Sequence, residues 1–163
     1  MNMENVSKAT KQGAQPGSRL YELAVAVDAV EENIQAVEAR KSLHLQTLRG
    51  IDANVPGWDA EPADVAAGMQ ERAALVWLVE RCDHRLRALD NERKAAAGPL
   101  NVLYEQIKIK KWEVGTYGAN MPSGSSISGM RADVAGQLDR LLHDALAAPP
   151  APPAPPAAAG SNS

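Results

Sequence analysis

The sequence predicts an all-α protein: a long antiparallel helical hairpin of coiled-coil type, one or two shorter helices packed on it, and structureless termini. Three observations carry this reading. Leu20, Leu23, Val27, Val30, Ile34 and Val37 follow one another at alternating steps of three and four, which puts them on one narrow helical stripe. Val65, Gly68, Arg72, Leu75, Val79, Cys82, Leu86, Leu89, Arg93 and Ala96 repeat the pattern further along. Between the two stripes lie Asn54, Pro56, Gly57 and Asp59, a run of turn-forming residues short enough to fold one helix back on the other.

Composition agrees with an elongated molecule. Of 163 residues 45% are hydrophobic, but many are alanine, aromatics are 4% and Phe is absent. Alanine buries little area, so such a chain favours helix pairs closed by aliphatic seams over a thick core. The formal net charge of -3 gives the whole molecule no electrostatic reason to seek nucleic acid or an anionic membrane. Any such contact has to be local. A single cysteine, Cys82, excludes an intramolecular disulfide, and the polar start of the chain lacks the apolar stretch of a secretory signal. A cytoplasmic protein without a membrane span is expected.

Residues 1–18 mix Lys, Gln, Asn, Ser and Gly without periodicity and read as a disordered arm ending at Pro16-Gly17, with Ser18 placed to cap the first long helix. The helical domain is expected over 19–147. Its first helix spans about 19–49, continuing past Val37 by steps through Lys41 and Leu45 to Leu48, a stutter that locally unwinds a supercoil. Gly50 is the expected stop. Pro62 suits a first helical turn, where its missing N–H is not needed, and opens a second helix over about 63–97. Gly98-Pro99 reads as a break, with a third helix over 99–114 carrying Leu100, Leu103, Tyr104 and Ile107. A strand over 107–118 is the alternative there, weakened by the lack of a partner strand. A Gly/Ser-rich loop precedes a fourth helix over 129–147, and 148–163 is a Pro/Ala-rich disordered tail of polyproline II type.

Charge selects the antiparallel arrangement. Glu22, Asp28, Glu31 and Glu32 would lie near Arg85, Arg87, Arg93 and Lys94, while Arg40, Lys41 and Arg49 would face Asp59, Glu61 and Asp64. A parallel pair would set acid against acid.

Chemistry-bearing motifs are sparse. Cys82, His84, His44 and His143 lack the paired spacing of a zinc site, and Ser123 to Ser128 show neither a nucleophile elbow nor a phosphate-cradling pattern. No catalytic, cofactor or metal residue is assigned. Val76 and Leu78 lie beside the second seam and, with Met130 and Leu142 of the fourth helix, are the expected oligomer interface. Lys108, Lys110 and Lys111 beside Trp112 form the one local basic-aromatic patch suited to phosphate and base contact. The expected function is therefore non-enzymatic: self-association or scaffolding of a protein partner, as in a bacterial or phage assembly factor or an adaptor in virion assembly. A nucleic-acid-binding assembly protein of the small packaging-subunit kind, using the lysine patch, is the alternative.

Overall fold

The structure, a computed structural model, describes residues 3–54, 56–57, 59–119 and 125–149, with the backbone alone for 117–119 and 125–128. Four helices follow in order: α1 (Glu4–Lys11), α2 (Arg19–Ala53), α3 (Pro62–Ala119) and α4 (Ser125–Leu146). Among the described residues there is no strand, and 107–114 lies inside α3. The proline-rich tail beyond Pro149 and the Met121-Pro122 part of the expected loop lie outside the described residues.

Helices α2 and α3 form the antiparallel hairpin. Asp52 accepts Arg72 at 2.7 Å, and Lys41 pairs with Asp83. From 52 back to 41 along α2 and from 72 on to 83 along α3 is eleven residues each way, so the register is constant. The charge argument identified the direction but not these partners. Arg85 pairs with Glu92, and Asp90 binds both Arg93 and Lys94, all within α3.

Both seams run as spaced. On α2, Leu20 and Val27 are buried, and Leu23, Val30, Ile34, Val37, Lys41, Leu45 and Leu48 are half-buried. The stutter thus places Lys41 at the interface, where Asp83 balances its charge. On α3, Leu75, Cys82 and Leu89 are buried, whereas Arg72 and Arg93 turn outward.

Four boundaries differ from expectation. On either side of the Gly/Ser-rich stretch, α3 runs on to Ala119 instead of ending at 114, and α4 begins at Ser125 instead of 129. Gly50 does not end α2, which continues to Ala53; one interior glycine costs only about 1 kcal/mol, less than the flanking contacts of Leu48 and Ile51 return. Gly98-Pro99 does not divide α3, a single helix of 58 residues. Proline removes the bond to Ala95 and its ring crowds the preceding residue's Cβ. Gly98 has no Cβ, and Ala95, Gly98 and Pro99 are all exposed, so the freed carbonyl lies on the side of the helix open to solvent. Directly beyond, Leu100, Leu103 and Ile107 are 2–3% exposed and hold the helix on course.

The fourth difference is the arm. Glu4–Lys11 is a helix with Val6 and Ala9 buried. It ends in a Schellman motif: Ala14 N–H donates to Ala9 O at 3.1 Å and Gly13 N–H to Thr10 O at 2.9 Å, with Gly13 at φ 91°, a conformation glycine adopts without strain. Ala14 is buried behind it. The chain then passes the end of α4, where Gln15 N–H donates to Leu146 O at 3.0 Å. Ser18 caps α2 as expected, accepting from Tyr21 N–H at 3.3 Å.

These contacts divide the molecule into a head and a stalk. In the head, Val6, Ala9, Leu20, Ala24, Val27, Leu100, Leu103, Ile107 and Ala145 bring all four helices into one core. In the stalk, among the described residues, α2 and α3 pack only on each other, and from Ala29 to Ala53 no residue of α2 is buried.

Candidate interaction surface

Midway along the stalk a groove of about 410 Å³ opens between the helices. Val37, Arg40 and His44 line it from α2, and Trp77, Leu78, Arg81, Cys82 and Arg85 from α3. Positions four apart on a helix stack on one face, so Trp77, Arg81 and Arg85 form a ridge, and Arg40 and His44 form its counterpart across the groove. The Arg81 guanidinium stands 4.8 Å from the centroid of the Trp77 ring, a cation–π contact that presents ring and charge together. Trp77 remains 53% exposed. Two thin helices cannot shield so large a ring, and the surrounding arginines concentrate positive charge in a chain whose net charge is negative.

The expected interface residues are divided by the fold. Leu78 lines the groove, and Val76 is half-buried on the same helix. Met130 is 54% exposed near the start of α4. Leu142 instead packs, half-buried, against the head core, because the α4 face that reads as uncovered in sequence closes over α2 and α3.

The lysine patch is divided: Lys108, Lys111 and Trp112 share one side of α3 by their spacing of three and four, whereas Lys110 turns to another. Lys108 pairs with Glu105 in an exposed i,i+3 contact at 3.4 Å. Lys110 turns under α4 and donates to Glu113 at 2.7 Å and to Gln137 at 3.0 Å. Lys111 donates to Gln12 at 3.0 Å. Trp112 is 69% exposed and stands one turn from Lys108 on the same side of the helix.

Among the described residues no three His, Cys, Asp or Glu side chains gather as metal ligands. Cys82 is buried in the hairpin seam, whereas His84 and His143 face water. No described helix is long and apolar enough to cross a membrane. The Trp77 groove was legible only in part: the Trp77, Arg81, Arg85 spacing stands in the sequence, but the contribution of Arg40 and His44 depends on the register between α2 and α3. Comparison with known proteins finds no family model, no curated protein and no solved structure that matches this chain.

Proposed function

We propose that the protein is a non-enzymatic, self-associating scaffold or adaptor, and that the stalk is where it associates. The observation that carries this is the incomplete cover of the hairpin: the seam residues of α2 beyond Asp28 all retain exposure, and Leu43, Met69 and Trp77, at 60%, 69% and 53% exposed, stand on the same half of the molecule. A two-helix ribbon completes its packing most simply by adding helices from a second chain. The head supports the division of labour, since its core draws on all four helices whereas the stalk is built from two.

Light scattering coupled to size exclusion, at tens of micromolar, tests the proposal. The unmodified chain is expected at a multiple of its 17.3 kDa mass. Leu78→Glu is expected to yield helical monomers, whereas Leu142→Glu is expected to destabilise the head. A monomeric mass for the unmodified chain would remove self-association.

A further inference from the structure

Beside the groove, α3 carries a second stripe on its outer flank. Ala67, Glu71, Ala74, Leu78, Arg81 and Arg85 follow at steps of four, three, four, three and four, the spacing of a coiled-coil seam. Leu78 is half-buried and the other five are exposed. The stripe is polarised along its length: Glu71 stands at one end, Arg81 and Arg85 at the other, with Ala74 and Leu78 between.

A stripe with that order of charges is complementary to itself when reversed. We propose that α3 pairs antiparallel with α3 of a second copy along this stripe, about a two-fold axis at the level of Val76. Resting on self-association as the function, this names its geometry. In this register Glu71 of each chain meets Arg81 of the other. Leu78 meets Ala74, whose methyl leaves room for the larger side chain, and Arg85 falls opposite Ala67. Each contact occurs twice, as an isologous interface requires. A parallel pairing would set Glu71 against Glu71 and Arg81 against Arg81, so charge alone selects the direction. Both members are available: Glu71 makes no ion pair among the described residues, and Arg81 contacts the exposed Trp77 ring. Among the described residues Arg85 is held only by Glu92 on the same solvent-facing surface, in a pair about half exposed at each side chain. The second copy's helix would lie along the groove edge formed by Leu78, Arg81 and Arg85.

Charge reversal in the full-length chain tests this, with mass read by light scattering and folding by circular dichroism. Glu71→Arg alone and Arg81→Glu alone are each expected to weaken self-association about ten-fold or more, while both remain helical. An equimolar mixture of the two single variants is expected to regain the parent mass, because each chain then offers the charge the other lacks, and so is the double variant E71R/R81E. If both single variants associate like the parent, the chains meet elsewhere; the inference fails and self-association stands. If the mixture and the double variant stay monomeric, Glu71 and Arg81 do not face each other and the inference fails. A parent chain that is monomeric overturns the functional reading itself. Should that monomer bind single-stranded DNA at low salt and lose binding with Arg81→Glu, the ridge is a nucleic-acid contact instead.

Discussion

The carboxylate of Asp28 on α2 accepts the backbone N–H of Val6 on α1 at 2.9 Å and that of Asn5 at 3.0 Å. Those are the free donors of the first turn of α1, which its own flanking residue Met3 does not cap by a side chain. Asp28 also accepts Asn5 Nδ2 at 2.8 Å, and among the described residues it is the one buried charged side chain, at 3% exposed. A negative group at a helix N-terminus meets both the free N–H groups and the positive end of the helix dipole. An eight-residue helix cannot sustain itself in water; α1 exists because α2 caps it and the head core takes Val6 and Ala9.

Asp28→Ala should therefore release α1 and cost about 1–3 kcal/mol, with Asp28→Asn intermediate because one acceptor oxygen remains. Hydrogen exchange at the Val6 and Ala9 amides reads the release, and urea unfolding reads the cost. Protection at those amides unchanged in Asp28→Ala would show that the cap is dispensable.

Tyr104 carries a buried hydroxyl without a hydrogen-bond partner among the described residues. Burial pushes its phenol up from the ordinary value of 10.0, the Lys8 charge works against that, and the Asp28 carboxylate adds to it. Unfolded Tyr104 thus ionises before folded Tyr104, so its contribution is intact below about pH 10 and stability declines as pH rises from there towards the folded value. Tyr104→Phe should be neutral or stabilising by up to about 1 kcal/mol at pH 7 and should show a shallower alkaline decline than the parent. Identical slopes in urea melts of the two proteins above pH 10 would contradict this.

Two exposed glycines inside helices separate intrinsic propensity from the effect of proline. Apart from its chain neighbours and the helix's own backbone, a Cβ at either Gly50 or Gly98 meets nothing within 4 Å. Gly50→Ala should stabilise by about 0.5–1 kcal/mol. Gly98→Ala should return less than that or destabilise, because its Cβ would crowd the Pro99 ring. Equal gains in thermal unfolding would mean that Gly98 is not what admits Pro99.

The hairpin register predicts proximity. Carrying the Lys41–Asp83 and Asp52–Arg72 spacing toward the head puts Val27 level with Ala97, and both join the head core. With Cys82 replaced by Ala, cysteines at 27 and 97 should cross-link efficiently, those at 27 and 89 weakly and those at 27 and 65 not at all.

Burial predicts a contrast along the same seam. Leu89 is fully buried and Ile34 half-buried, so Leu89→Ala should cost about 2–5 kcal/mol and Ile34→Ala clearly less. Equal losses in urea unfolding would show that the stalk is covered more evenly than the structure indicates.

The hairpin was legible because its signal is local and repeated. Each seam recurs every three or four residues over many turns, so the stripes of α2 and α3, the cap at Ser18 and the helical start at Pro62 can be read without knowing what they touch. Breaks are less legible, since Gly50 and Gly98-Pro99 weaken a helix by a few kcal/mol at most, an amount that packing on either side outweighs. Helix α1 lay at the limit: the Lys11-Gln12-Gly13-Ala14 ending is a readable Schellman signal, but Val6 and Ala9 alone make no convincing stripe, and the cap comes from a residue 22 positions away. The groove required tertiary structure altogether. Which arginines gather around Trp77, and which of Leu78 and Leu142 remains available to a partner, depend on the register of two helices and the docking of α4, and those are set by contacts between residues far apart in the chain.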